Sequence, residues 1–202
     1  MAGMRILAFS DLHCDLDQAA RLTEMSAEAD VVIGAGDFAS IHERLEETID
    51  ALSGITTPTV LVPGNNERLD ALQEAAASWD AAVVLHGNST EIGGQTFYGL
   101  GGGIPVTPWS WSYDLEETEA EAKLADLTGD AVLVVHSPPK NHCDAAGDGL
   151  HLGSTAIAAA IERAQPKLAV CGHIHESWGE RSNNGDTEVA NLGPSGTYFE
   201  VA

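Results

Sequence analysis

Residues 5–13, RILAFSDLH, pass from a short apolar run directly into Asp11-Leu12-His13, and the rest of the chain repeats that transition. A run this short, rich in Ile, Leu and Phe, suits a β-strand covered on both faces. The same form recurs at residues 31–34 (VVIG), 59–62 (TVLV), 131–136 (AVLVVH) and 167–171 (KLAVC). Segments with helical spacing separate these runs, at 15–29, 43–53, 68–79, 115–127 and 154–164. Alternation of strand and helix predicts an α/β chain. Residues 89–92 and 95–99, around Gly93-Gly94, read as a hairpin, and 177–201 as short strands joined by NNGD and GPSG turns. Antiparallel strands are therefore expected at the far end of the sheet.

Composition narrows the function. The chain has 202 residues, 44% of them hydrophobic, enough for a substantial core, and no repeat or linker divides it, so one domain over 1–202 is expected. Against 31 Asp and Glu stand 9 Lys and Arg, giving a formal charge of -22. That inventory is too poor in cations to build a groove for polymeric nucleic acid or a face for an anionic membrane. Abundant acid with little Lys resembles the surface chemistry of halophilic proteins, in which molar salt shortens the Debye length to about 3 Å and removes long-range repulsion of anions. Cys14, Cys143 and Cys171 form no CxxC pair, which fits reduced thiols in a cytoplasm. The apolar run Ile6–Phe9 is too short for a signal peptide, and no stretch approaches the ~18 apolar residues of a membrane span.

Each apolar run ends in residues able to bind a metal: Asp11 and His13, then Asp37, then Asn65, then His136, then His173 and His175. Ligands of open α/β sheets bind outside the carboxyl ends of the strands, so these side chains can converge. Taken singly, Asp11 and Asp37 suit helix or turn caps and His136 a core histidine; it is their joint placement that points to a metal site. Alternation along an extended chain sends His173 and His175 one way and Ile174 the other, and likewise Asp11 and His13 around Leu12. Two long loops complete the inventory. Residues 101–114 carry Trp109, Trp111 and Tyr113, and residues 137–153 carry Lys140, His142 and His151.

The sequence of motifs DLH, GD, GNN, H and GHIH, spanning Asp11 to His175, resembles the calcineurin-like metallophosphoesterase superfamily. That resemblance implies two mixed β-sheets packed face to face and flanked by helices, with two metal ions at the strand ends. It also implies a ligand set: Asp11, His13 and His175 for one ion, Asn65, His136 and His173 for the other, and Asp37 bridging both. Carboxylate, imidazole and amide donors suit Mn, Fe, Co or Zn, Mn foremost, better than Ca or Mg. Two such ions share a hydroxide and clamp the phosphoryl oxygens of a small phosphoester, supplying the positive charge the chain itself lacks.

One position departs from the pattern. Where family members have GNH, this chain has Asn66, which cannot act as a general acid near neutral pH. Leaving groups that need little protonation, as in aryl esters, anhydrides or some cyclic nucleotides, are then favoured, or another histidine substitutes, His142 and His151 ahead of His42 and His86, or catalysis is lost. Lys140 is a candidate phosphate contact, and Trp109 and Trp111 a wall on which a base or aryl group stacks. Two other readings compete: a non-catalytic scaffold on the same fold, which needs no complete ligand set, and a metal-dependent amidohydrolase, hinted at by DLHCD at 11–15.

Overall fold

The computed structural model describes residues 3–202. Its Val-, Ile- and Leu-rich runs form parallel strands in two separate sheets. β1 (Met4–Phe9), β2 (Val31–Gly34), β3 (Thr59–Leu61) and β4 (Ala82–Val84) lie side by side in one sheet, with β11 (Thr197–Val201) antiparallel on the outer edge of β1. The other sheet runs in the order β5 (Asn88–Ile92), β6 (Gln95–Leu100), β7 (Val132–Val135), β8 (Leu168–Cys171), β10 (Thr187–Asn191), β9 (Arg181–Asn184). Its two edge strands are antiparallel and its four inner strands parallel.

Side-chain alternation decides which layer each residue enters. Ile6, Ala8, Ile33, Val132, Val134 and Val170 meet between the sheets in a fully apolar core. Leu7, Phe9 and Val32 point the other way, under α1 (Leu16–Met25), α2 (Leu45–Leu52) and α3 (Leu69–Ala75). Leu133, Val135 and Ala169 pack under α4 (Glu117–Lys123) and α5 (Thr155–Ala164). Strands buried on both faces read as unbroken apolar runs for this reason, and the result is two mixed sheets flanked by helices. Asp15 caps α1 by accepting from the Gln18 N–H at 2.9 Å, so the helix begins immediately beyond His13 and Cys14.

The chain departs from its sequence pattern in the tail and in the helices. Instead of extending one sheet, the last three strands divide: β9 and β10 complete the second sheet, with β10 parallel to β8, while β11 crosses back to β1. The helices are shorter than their periodic stretches; α3 stops at Ala75, and the turn after it leads into β4, a three-residue, half-buried strand with no period of its own. Among the described residues no helix is long and apolar enough to cross a membrane.

Ile33 is fully buried between the sheets. Ile33→Ala should cost about 2–5 kcal/mol and Ile33→Val about 0.5–1.5 kcal/mol in denaturant unfolding, because only the former leaves a cavity the strands cannot close. Equal costs would mean that the sheets do not meet there.

Candidate metal centre

Beyond the carboxyl ends of β1, β2, β3, β7 and β8, the backbone is knitted across loops: the Asp11 N–H donates to Gly36 O at 2.9 Å, the His13 N–H to Asp37 O at 3.0 Å, and the Gly172 N–H to His136 O at 2.9 Å. Two groups of side chains meet there, Asp11 with His13 and His175, and Asp37 with His136 and His173, each with donor atoms within 4.8 Å of one another. Asp37 touches both groups. Its Oδ2 lies 3.6 Å from His13 Nε2 and its Oδ1 3.4 Å from His136 Nε2. His13 and His175 approach at 3.2 Å through their Nε2 atoms, and Asn65 Oδ1 sits 3.0 Å from His173 Nδ1 and 3.2 Å from His136 Nε2. All seven expected side chains are thus brought together.

The hydrogen bonds behind these atoms determine what they present. His136 donates its Nδ1–H to the Ala35 carbonyl at 2.8 Å, and His13 its Nδ1–H to Ala39 O at 3.2 Å. Each ring thereby turns its Nε2 inward. Asn65 spends its amide on Ser112 Oγ at 2.9 Å, which leaves its carbonyl oxygen facing His136. Imidazole nitrogens, a carboxylate and an amide oxygen therefore face one another at 3.0–3.6 Å with no Lys or Arg among them. The donor set fits two divalent ions of borderline hardness.

Electrostatics carry the same mark. Burial pushes the Asp37 carboxyl up to about 7, and the charge of Asp11 adds to it. Glu67, also buried, is pushed up to about 7 by burial and by Asp37. Burial is the largest influence on Asp11 and acts upward, yet His175, His136 and the Ser10 hydroxyl together bring it down to about 2. His173 is held down at about 3 by burial and by His136, whereas the Asp11 carboxylate raises His175.

The side chains do not converge by strand alternation. β1 ends at Phe9 and β8 at Cys171, and Asp11, His13, Asp37 and His173 take left-handed backbone with φ between 43° and 68°. Non-glycine residues held so cost on the order of 1 kcal/mol each and gather where geometry is imposed by the surroundings. Two glycines permit the close approach: a Cβ on Gly64 would collide with Asp37, and one on Gly172 with Asp11 and Ser10.

Three supporting residues escaped the reading of the sequence. The Glu67 carboxylate accepts from the N–H groups of Asp37 (2.9 Å), Gly64 (2.6 Å) and Ala39 (3.1 Å), joining the loops after β2 and β3. Trp178 donates its indole N–H to Asp11 Oδ2 at 3.2 Å and lays its ring 4.3 Å from that of His175. Asn191 donates to the carbonyls of Cys143, Gly172 and Ile174, fixing the turn that carries both histidines. Glu67 directly follows GNN and Trp178 lies three residues past His175, but neither has a periodic signal.

Other expected residues fall elsewhere. Asn66 lines the cleft, yet its amide donates to Asp37 Oδ2 at 2.7 Å and its oxygen accepts from the Ile41 N–H at 2.9 Å. His142 lies 3.2 Å from Ser182 Oγ, and His151 pairs with buried Asp144 at 2.6 Å; neither lines the cleft. Lys140 donates to the His151 carbonyl instead of reaching the metal groups. Asp144 explains all three, because it also accepts from the N–H groups of Asn141 and Gly153 and so folds the loop onto itself. Trp109 and Trp111 do line the cleft.

A family model described as the calcineurin-like phosphoesterase superfamily domain matches residues 4–200. Two Caenorhabditis elegans proteins are similar: UPF0046 protein T07D4.2 is 32% identical over 48% of this chain and 25% of its own length, and UPF0046 protein K07C11.7 is 28% identical over 92% of this chain and 68% of its own. The chain thus spans a quarter of the first relative and about two thirds of the second. Among solved structures, a dimetal phosphatase from Danio rerio superposes with a TM-score of 0.63 at 13% identity, over 96% of this chain and 88% of its own.

A cation entering this centre has to displace the proton that Asp37 keeps up to about 7 and any proton on His175. Affinity for Mn²⁺, measured by titration calorimetry on metal-stripped protein, should therefore rise from pH 5 to pH 7, by up to about tenfold per unit for each proton displaced, and level off above. An affinity indifferent to pH would contradict the assignment of Asp37.

Proposed function

Because the chain belongs to the calcineurin-like phosphoesterase superfamily, we propose that it is a hydrolase that holds two divalent cations, Mn²⁺ foremost, and cleaves a small phosphoester. The observation that carries this reading is the shared carboxylate of Asp37, set between His13 and His136 with one oxygen toward each. Asp11, His13 and His175 would hold one cation, Asn65, His136 and His173 the other, and Asp37 would bridge them. When bound, such cations neutralise the charge of the phosphoryl group and lower the pKa of attached water. Polymeric nucleic acid and membranes are not proposed as partners, for want of Lys and Arg. Three buried, unpaired cysteines suit a reducing compartment, and we place the protein in the cytoplasm.

What the chain's own residues contribute is position. Asn66 holds Asp37 by two bonds, from its backbone N–H at 2.9 Å and its amide at 2.7 Å, and a carboxamide is no general acid for a leaving group. His173 and His175 line the cleft within the ligand groups, and His136 is fully buried. Departure of the leaving group then depends on its own acidity, which favours aryl esters over alkyl esters. A scaffold would gain nothing from lone pairs gathered at a cost in burial and strained backbone, so catalysis is the reading the geometry supports.

Metal-stripped protein loaded with Mn²⁺, Fe²⁺, Co²⁺ or Zn²⁺ should hydrolyse bis-p-nitrophenyl phosphate or p-nitrophenyl phosphate; silence with every ion, at low and at molar salt, would hand the fold to the scaffold reading. His136→Ala should lower both metal content and turnover by more than the about 10–100-fold that loss of an outer partner costs. Across a series of esters, kcat/KM should fall about 10²–10⁴-fold from aryl to alkyl leaving groups, the contribution a general acid would otherwise supply. A flat series would mean that some group does protonate the leaving oxygen.

A further inference from the structure

The ligand groups occupy one part of a cleft of about 660 Å³. Much of the remainder is apolar. Pro105, Val106, Pro108, Trp109 and Trp111 come from one loop, and Ile41 and Leu152 from two others. The rings of Trp109 and Trp111 stack with centroids 5.6 Å apart and planes 11° from parallel. Apolar side chains this exposed are unusual beside a charged centre: Trp109 and Val106 are each 50% accessible and Ile41 is 51%.

The aromatic wall is tied to the metal centre. Asp114 accepts from the Thr107 N–H and hydroxyl, each at 2.8 Å, and from Ser112 Oγ at 2.6 Å, closing the loop on either side of the two tryptophans. Ser112 in turn accepts the Asn65 amide at 2.9 Å, and the Tyr113 N–H donates to Asn65 O at 2.9 Å. Asn65 is the residue whose oxygen faces His136 and His173. A group lying on the wall would thus be held at a set place relative to the ligand groups.

Charge limits the rest of the substrate. None of the 9 Lys and Arg lines the cleft, whereas Glu176 does. Beyond the ligand groups no Lys or Arg of the lining offers to neutralise a second phosphate. We infer that the cleft selects phosphoesters with a single phosphoryl group joined to a flat aromatic group, which lies on the Trp109–Trp111 wall. This rests on the hydrolase reading above and adds the substrate class.

The test uses the full chain loaded with Mn²⁺ and two pairs of esters, each pair sharing a leaving group of like acidity: phenyl and 2-naphthyl phosphate, and methyl and 2-naphthyl p-nitrophenyl phosphate. The naphthyl member should be favoured about tenfold in kcat/KM, chiefly through KM. Trp109→Ala should bring that ratio close to one, and Trp109→Phe should restore most of it; circular dichroism of each variant verifies that half-exposed Trp109 is not needed for folding. At fixed free Mn²⁺, inorganic triphosphate should inhibit no better than inorganic phosphate. Hydrolysis with no naphthyl preference, or strong inhibition by triphosphate, overturns the substrate class while leaving the hydrolase reading intact. If no ester is cleaved, that reading fails, and calorimetry with 2-naphthyl phosphonate still decides on the wall: binding that Trp109→Ala abolishes supports it, and no binding overturns it. Self-association that Trp109→Ala disrupts, with the phosphonate unbound, would give the wall to a second copy of the chain and likewise overturn the proposal.

Discussion

A single buried carboxylate organises this molecule. Asp37 lies between imidazoles that come from the two different sheets, His13 beyond β1 and His136 beyond β7, and almost none of its surface meets water. Moving an anion into such surroundings costs several kcal/mol unless partners replace its hydration. The chain provides the two N–H groups of Asn66 and no Lys or Arg, so most of the compensation is left to imidazoles. Burial, with the charge of Asp11 acting on Asp37 and that of Asp37 acting on Glu67, is why Asp37 and Glu67 hold their protons to about 7. A site with this balance is built for cations.

Holding the carboxylate in place takes precision from residues that bind nothing themselves. Glu67 links the loops after β2 and β3 through three backbone N–H groups, and Asn191 ties the turn after β8, through the Gly172 and Ile174 carbonyls, to Cys143 in the loop after β7. Left-handed backbone at Asp11, His13, Asp37 and His173 is the cost of directing those side chains inward, and it is offset by the close-packed core between the sheets. The loops pass close enough that Gly64 and Gly172 cannot carry even a methyl group. The aromatic loop joins this frame through Asn65, whose amide donates to Ser112 while its oxygen faces His136 and His173.

The strong negative charge and the phosphoester reading are compatible once their locations are separated. Exposed acids such as Asp70, Glu47 and Glu188 pair with exposed arginines, while the cleft itself carries neither Lys nor Arg. On the proposed reading, attraction of an anionic substrate would rest on bound cations and on apolar contact, two contributions that salt weakens less than a surface field.

The sequence by itself determined the alternation of strand and helix and the recurrence of metal-binding residue types at the strand ends. Apolar runs of strand length, each buried on both faces, left little alternative to parallel strands with helices between them, and the types of residue that bind divalent metals are few enough for their recurrence at five strand ends to be read directly. Tertiary structure decided everything that depends on direction. Which sheet a strand joins is set by partners far along the chain, so the split of the tail between β8 and β1 had no local signal. Where a side chain points after a strand stops depends on one or two backbone angles, and at Asp11, His13 and His173 these are left-handed. Asn66, His142, His151 and Lys140 have the right chemistry in sequence, but hydrogen bonds to Asp37, Ser182, Asp144 and the His151 carbonyl claim them. A polar side chain goes to the strongest partner within reach, and only the folded chain determines which partners are within reach.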